Sequence, residues 1–492
     1  MGRINTNIPS LIAQGNLNRT YRDLSLHLER LSTGLRINRG ADDPAGLIVA
    51  ERLRSEILGI SHAVTNSQRA SSVIATTEGY LAEVADLLNT MRGLIVETAN
   101  RTGLSREEIE ANQLQVNSAI EAITRISNVA TFAGLQLLNG SLEYQTSGIA
   151  TSAIVEANIF SAKFGRNTHI PIQVDVITSA QTASVFLSGN TAGAPGALLS
   201  SVTLEIGGNL SVQTIAFVSG TSLADVVNAI NVLRDATGVS AALVNSMDLT
   251  SGMTFNSVGY GSSEFVSVRS IGPGGSFFDV QLAQGGATVT RDEGQNVAAV
   301  INGTLAVGNG LEVQLHTPAL GIALTLTPAY AQTIAVRRSF EITGGGAVFQ
   351  IGPRITFDQQ IGIAVQSVSE SRLGGTTIEG VRYYLESIKS GQSNSLIGGS
   401  TQEASLIVER AIHDIAVLRG RLGAFEKNMI ETNIRSLQIG LENITAAESQ
   451  VRDADFAVET AALTRAQILA QAGVAVLATA NATSQTVLTL LQ

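Results

Sequence analysis

The chain has 492 residues, of which 44% are hydrophobic and 4% aromatic, and it contains no cysteine or tryptophan. At about 150 residues per domain, this length favours several domains over a single core. The formal net charge of -10 without a basic run argues against binding to nucleic acid or to an anionic membrane surface. The lack of cysteine excludes disulfides, thiolate metal sites and cysteine nucleophiles.

No stretch contains the roughly 20 uninterrupted apolar residues of a membrane span, so we expect none. The polar N-terminus also lacks the apolar segment of a signal peptide. The chain is therefore expected to be cytosolic or to leave the cell without a cleaved signal.

Residues 1–42 carry a narrow apolar stripe and are predicted to form an N-terminal arm. An isolated helix of this length is marginal because helices depend on tertiary packing. Each large apolar side chain gains about 1.5–3 kcal/mol on full burial, so the arm would gain most by packing against other subunits. The predicted assembly positions in this arm are Ile4, Ile8, Leu11, Leu24, Leu28, Leu31 and Leu35.

Residues 43–146 are predicted to form long stem helices and a hairpin. Asp43 and Pro44 are a typical N-cap and first helical residue, and Ser105 with Glu108 form a capping box for a second helix. Asn139-Gly140 predicts the hairpin turn. Two apolar series with seven-residue spacing predict coiled-coil packing along the first helix. The predicted packing residues are Leu53, Ile60, Ile74, Leu81 and Leu88 in one series, and Ile57 and Val64 in the other.

The middle of the chain, residues 147–383, is predicted to be β-rich, with two subdomains. Six of the eight prolines lie between Pro171 and Pro353, and proline breaks helix interiors. Segments such as 201–209 and 311–315 alternate apolar and polar residues with the period of a half-buried strand.

The C-terminal flank is predicted to mirror the N-terminal one. A stem helix within residues 384–455 would pack through Ile415, Leu418, Leu422, Phe425, Leu437, Leu441 and Ile444. Residues 456–492 would form a second arm, with Ile468, Leu469, Leu477, Leu488 and Leu491 as assembly positions. Matching stripes at the two ends are most simply buried against each other, with the β-rich middle inserted between them.

Enzyme motifs are not found in this sequence. The five histidines are scattered, and the glycine-rich segments lack the Lys-Ser/Thr that ends a phosphate-binding loop. We therefore expect neither catalytic activity nor a cofactor or metal.

Motifs at both ends resemble those of the bacterial flagellin family. They include Ile4-Asn-Thr-Asn7 and Leu31-Ser-Thr-Gly-Leu-Arg-Ile-Asn-Arg-Gly-Ala-Asp-Asp-Pro-Ala-Gly-Leu47 at the front. At the back they include Arg452-Asp-Ala-Asp455 and Gln467-Ile-Leu-Ala-Gln-Ala-Gly473. A segment near residues 200–245 resembles the insertion module of many flagellins.

This resemblance implies a multi-domain α plus β fold, in which terminal coiled-coil helices form a stem and β-rich variable outer domains are inserted between them. It implies a secreted structural subunit that polymerises into the extracellular flagellar filament for swimming motility, with the arms in an inner tube. It also implies unfolded export through the flagellar type III apparatus. The implied partners are other copies of the chain, an export chaperone at the C-terminal arm, and hook-associated junction and cap proteins.

Two alternatives remain open at this point: a hook–filament junction protein, and a filament subunit whose outer domain is adhesive or glycan-bearing. The resemblance also bears on recognition by the vertebrate innate-immune receptor for flagellin. Thr90, Gly93 and Gln115 stand where detected flagellins carry Arg, Glu and Glu. We therefore expect weak or no receptor activation.

Overall fold

The structure, a computed structural model, describes residues 6–189, 195–272, 278–378 and 380–489. They form two compact units. The first contains the described residues of Met1–Ile74, Phe349–Gln360 and Leu422–Gln492, and the second those of Ala75–Val348 and Ile361–Arg421. The helices are α1 (Ile8–Thr33), α2 (Pro44–Thr98), α3 (Arg106–Val129), α4 (Leu223–Val232), α5 (Arg234–Thr237), α6 (Pro328–Ala331), α7 (Thr401–Phe425), α8 (Glu431–Arg452) and α9 (Phe456–Thr489). A π-helical segment, Glu426–Ile430, connects α7 to α8.

Two predicted helix starts are confirmed. Helix α2 begins at Pro44, and the Asp43 carboxylate accepts a hydrogen bond from the Gly46 backbone N–H at 2.9 Å. Helix α3 begins after Ser105, whose side chain and that of Glu108 form the reciprocal capping box. Both caps supply acceptors to backbone N–H groups that have no partner within their helix.

Two series of buried residues run along α2. The first includes Ile60, Ser67, Ile74, Leu81, Leu88 and Ile95. The second is Ala63, Ala70, Thr77, Val84, Met91 and Thr98, at each step one residue before the predicted second series. Leu53, Ile57 and Val64 are half-buried. Small Ala and Thr side chains occupy four of the six positions in the second series, so a pattern based on large hydrophobic residues does not detect them.

The π-helical segment explains why the C-terminal stripe changes phase. Ile415, Leu418 and Leu422 are buried in α7, and Phe425 is half-buried at its end. Met429 is 46% exposed, whereas Ile430 is fully buried. A π-turn inserts one residue into the helix and so rotates the following positions. In α8 the predicted positions Leu437, Leu441 and Ile444 are half-buried.

The strands lie between α3 and α7. They are β1 (Thr131–Phe132), β2 (Leu135–Gln136), β3 (Tyr144–Ser147), β4 (Ile154–Ala162), β5 (Ile170–Thr178), β6 (Ser184–Leu187), β7 (Val202–Gly207), β8 (Val212–Phe217), β9 (Val239–Leu243), β10 (Met253–Ser257), β11 (Phe265–Ile271), β12 (Arg291–Glu293), β13 (Ala298–Ile301), β14 (Thr304–Asn309), β15 (Glu312–His316), β16 (Leu320–Leu326), β17 (Arg337–Gly345), β18 (Ala347–Gln350), β19 (Gln360–Ile363), β20 (Thr376–Ile378) and β21 (Val381–Tyr383). The combination of helical ends and a β-rich centre is confirmed.

The predicted hairpin turn at Asn139-Gly140 is wrong. The hairpin pairs β1 with β2, and its turn lies at Ala133-Gly134, where both residues have positive φ (49° and 85°). The Asn139 carboxamide oxygen accepts from the Ser141 N–H at 3.0 Å, so Asn139-Gly140 forms a bend after the hairpin. An alanine in the left-handed region is uncommon, which explains why the sequence pattern misplaced the turn.

An eight-stranded antiparallel sheet dominates the second unit, with the order β3-β17-β5-β13-β14-β15-β16-β4. Alternate side chains of its strands, such as Ile172, Val174 and Val176 of β5, enter one hydrophobic core. Between β5 and β13 the chain forms two further sheets, β6-β10-β9 and β12-β11-β7-β8, joined by α4. These enclose a separate core that includes Leu204, Val226 and Phe255.

Candidate functional site

Helices α1 and α9 form an antiparallel pair in the first unit. Near one end, the Asn7 carboxamide donates to the Ala480 carbonyl at 3.0 Å, and the Ser10 hydroxyl donates to Asn481 Oδ1 at 2.8 Å. Near the other end, the backbone N–H of Arg36 donates to the Arg452 carbonyl at 2.7 Å. The two predicted arms are therefore brought together within one subunit.

Small residues form the contact between these two helices. Ala13, Ala466 and Ala470 are at most 7% exposed. A Cβ atom built on Gly473 would lie 3.1 Å from Leu17 Cδ1, which is tighter than ordinary van der Waals contact. Small side chains let two helix backbones approach closely, and Leu17 lies against Gly473 in this contact.

A buried ionic cluster joins the same pair of helices. Glu459 is 7% exposed, and its two carboxylate oxygens lie 2.5 Å from His27 Nδ1 and 3.0 Å from Arg30 Nη1. Burial disfavours the charged carboxylate, but the hydrogen bonds from His27 and Arg30 outweigh it and lower the pKa of Glu459. The cluster fixes the register in which α9 lies against α1.

Many large apolar side chains of the arms remain exposed in this pair of helices. Among the predicted assembly positions, Ile8, Leu11, Leu28, Ile468 and Leu469 are 47–60% exposed. Leu24, Leu31, Leu35 and Leu477 are half-buried. Ile4, Leu491 and the side chain of Leu488 lie outside the part of the protein that the structure describes. An ordinary amphipathic helix pair buries its large residues and exposes its small ones, so this arrangement leaves an apolar surface uncovered.

Helix α9 bears on the expectation that the chain has no membrane span. The segment Phe456–Ala482 is long and apolar enough to cross a membrane by length and composition, and little of it is buried. Its apolar residues are interrupted by Thr, Gln, Glu459 and Arg465, so it lacks a run of about 20 uninterrupted apolar residues although its average hydropathy is high. Length and composition do not distinguish a membrane-crossing helix from one that packs against other protein chains.

Polar contacts join α8 and the π-helical segment to α2 in the first unit. Asn433 donates to the buried Ser67 hydroxyl at 3.2 Å and to the Ile351 carbonyl at 2.8 Å, and the Ser71 hydroxyl bonds to Glu426. Glu426 lies in the π-helical segment. The antiparallel alignment of α8 with α2 is therefore fixed by side chains at the point where the C-terminal helix changes phase.

Ion pairs align α2 with α7 in the second unit. Arg92 and Glu409 are 3.2 Å apart, and Glu78 and Arg419 are 3.7 Å apart, so the two helices run antiparallel. Exposed pairs of this kind contribute little stability, and the buried residues between them provide most of it. The predicted receptor-recognition positions Thr90, Gly93 and Gln115 are all exposed on α2 and α3.

Three buried seam residues, Ala13, Ala466 and Ala470, were missed by the sequence reasoning, as was the close contact of Gly473. The sequence does contain a pattern that could have predicted this contact, because small residues follow one another at spacings of four and three along α9 and Ala13 lies in α1. Among the residues that the structure describes, no group of three or more His, Asp or Glu side chains is arranged to hold a metal ion.

Comparison with known proteins agrees with this arrangement of helical ends. Residues 4–143 match the bacterial flagellin N-terminal helical region, residues 406–491 match the bacterial flagellin C-terminal helical region, and residues 203–259 match the flagellin hook IN motif. The last of these contains α4 and most strands of the separate core.

Relatives extend over the whole chain. B-type flagellin of Pseudomonas aeruginosa is 30% identical over 516 residues, covering 99% of both chains. Flagellin of Salmonella rubislaw is 28% identical and likewise covers 99% of both. Among solved structures, the D1-D2-D3 domains of the Escherichia coli flagellar cap protein match at a TM-score of 0.30 and 13% identity, covering 73% of this chain and 99% of that one.

The terminal matches, the insertion motif and the full-length similarity to a 30% identical flagellin converge on one conclusion. The chain belongs to the bacterial flagellin family and is a structural subunit of the extracellular flagellar filament.

Proposed function

We propose that copies of this chain polymerise through the outer faces of α1 and α9, which form the inner tube of the filament. The supporting observation is that small residues lie in the contact between α1 and α9, while large apolar residues of both helices remain exposed. Ala13, Ala466, Ala470 and Gly473 lie in its seam, whereas Ile8, Leu11, Ile468 and Leu469 remain about half exposed. An exposed apolar surface of this extent favours burial against another protein.

The remaining helices would form the stem. Residues 43–146 and 384–455 would supply its coiled-coil packing, and the predicted packing positions include Ile60, Ile74, Leu81, Leu88, Ile415, Leu418 and Leu422. The β-rich residues 147–383 would face solvent as two outer domains, one for each of their hydrophobic cores. A helical array needs only one heterologous contact repeated without closure, so the outer domains need not contribute to it.

Partners beyond the chain itself follow from the same surface. Before export, the apolar face of α9 would need cover in the cytoplasm, and an export chaperone at the C-terminal arm would supply it. In the assembled flagellum, hook-associated junction and cap proteins would meet the two ends of the filament. Swimming motility is the role of the completed filament.

Truncation of the arms tests the proposed assembly. Removal of residues 1–40 or 460–492 should leave a soluble monomer that retains the helical circular dichroism of the stem but does not elongate seeds of the full-length protein. Leu305 and Val307 of β14 are 64% and 76% exposed, so Leu305→Ser with Val307→Ser is a matched control that should elongate normally. Normal elongation by either truncated protein would show that the arms do not build the inner tube.

A further inference from the structure

A cavity of about 300 Å³ lies in the second unit, between α7 and the outer face of the eight-stranded sheet. Phe160 of β4 and Glu312 and His316 of β15 line it, whereas their neighbours Ile159 and Val313 enter the hydrophobic core on the other face. The proposed function does not use this cavity.

Arg421 is the unusual residue in the cavity wall. The centre of its guanidinium lies 3.6 Å from the centroid of the Phe160 ring, and that ring is stacked on His316 at 6.2 Å with an interplanar angle of 15°. Its Nη1 atom is buried and has no hydrogen-bond partner among the described residues. Burial lowers the pKa of Arg421 to about 10. The guanidinium is therefore held in place and desolvated.

The acidic groups around Arg421 already have partners. Three ion pairs line the cavity: Arg372 with Glu143 at 3.1 Å, Arg410 with Asp414 at 3.1 Å, and Arg382 with Glu156. Glu312 accepts a hydrogen bond from Gln314 at 3.0 Å. Within residues 6–189, 195–272, 278–378 and 380–489, no carboxylate forms a salt bridge with Arg421. A second donor, Arg382 Nε, is likewise buried without a hydrogen-bond partner there.

We propose that this cavity is a carboxylate-binding site, in which Arg421 Nη1 and Arg382 Nε donate hydrogen bonds to the bound anion. A buried charge is costly unless it is paired, and the planar guanidinium matches the geometry of a carboxylate. At about 300 Å³ the cavity is at the small end of ligand sites, so a short carboxylic acid or an acidic side chain fits. Two sources share this chemistry: a small free carboxylate, and an Asp or Glu side chain of a second copy.

Thermal unfolding of the monomer tests the first source. Sodium acetate and sodium succinate, each compared with sodium chloride at equal ionic strength, should raise the Tm of the wild-type chain saturably. In Arg421→Gln the concentration needed for half of that rise should increase at least about tenfold. Arg106→Gln removes the same charge from a side chain that is 82% exposed on α3, and it should respond like the wild type.

Seeded elongation tests the second source, and this arm rests on the proposed function. If the free acids leave the wild-type Tm unchanged, Arg421→Gln should still elongate seeds at least about tenfold more slowly than Arg106→Gln. Arm truncations in the same assay report on the proposed function separately, because they do not alter the cavity. If the free acids leave the Tm of the wild-type chain unchanged and Arg421→Gln elongates seeds at the same rate as Arg106→Gln, the proposed carboxylate site does not exist.

Arg421→Met distinguishes the loss of the carboxylate site from a general loss of folding. Methionine can cover the Phe160 ring without a buried charge, so this variant should have a wild-type or higher Tm and no response to the acids. A Tm lower by more than about 5 °C would mean that the guanidinium is already satisfied within the monomer, which would overturn the proposal.

Discussion

Shortening Ile468 and Leu469 together tests the outer face of α9. In the monomer these side chains are 60% and 52% exposed. Ile468→Ala with Leu469→Ala also removes the part of each side chain that is covered in the monomer, so it should lower the free energy of unfolding of the monomer by about 1 kcal/mol per residue. Alanine also favours the helix, so α9 itself should persist.

The same change should also weaken assembly. Full burial of a large apolar side chain contributes about 1.5–3 kcal/mol, and about half of each of these two side chains is still exposed in the monomer. Losing that half costs about 1 kcal/mol per residue, or about 2 kcal/mol for each added subunit. The critical concentration for filament growth should then rise about 30-fold.

Sedimentation of seeded filaments provides the assay, because the protein that remains soluble at equilibrium is the critical concentration. Val232→Ala is the matched control, since Val232 is 81% exposed on α4 within the β-rich centre. It should leave the critical concentration unchanged. A double variant with the wild-type critical concentration would refute the claim that this face is buried between subunits.

Three further predictions concern other parts of the chain. The pKa of Glu459 is lowered in the folded protein, so its contribution to stability is present above its unfolded pKa and is lost as the pH falls through its folded pKa. Glu459→Gln should therefore make the free energy of unfolding depend less on pH in the acidic range, and an unchanged pH profile measured by urea titration would contradict this. Thr90→Arg with Gly93→Glu should partly restore receptor activation in a reporter-cell assay, because interface arginines are often binding hot spots. Full potency of the unmodified protein would contradict the expectation that Thr90 and Gly93 weaken receptor recognition. Deletion of residues 147–383 with rejoined helices should preserve polymerisation but thin the filament in electron micrographs, and a folded deletion protein that cannot assemble would show that the outer domains drive it.

Local signals allowed the helix starts to be predicted. Asp43-Pro44 and Ser105 with Glu108 act through hydrogen bonds within one helical turn. Such features depend only on neighbouring residues.

Features that depend on distant residues could not be predicted. Strand β4 pairs with β16, from Ala162 opposite Leu320 onwards, and no short pattern encodes that choice. The alanine seam of the arms was passed over because hydrophobic patterning weights large side chains, whereas close helix packing selects small ones. The lack of a carboxylate partner for Arg421 depends on the ion pairs of its neighbours, and the sequence does not show those pairs.

Side-chain footprinting tests the central claim most directly, because it compares the same residues in the monomer and in the filament. Hydroxyl-radical labelling of Leu11, Ile468 and Leu469 should fall at least about tenfold on polymerisation, since burial removes these side chains from solvent. Labelling of Val232 should not change. Equal labelling of the three arm residues in monomer and filament would contradict the account, because it would leave their apolar faces exposed in the assembled state.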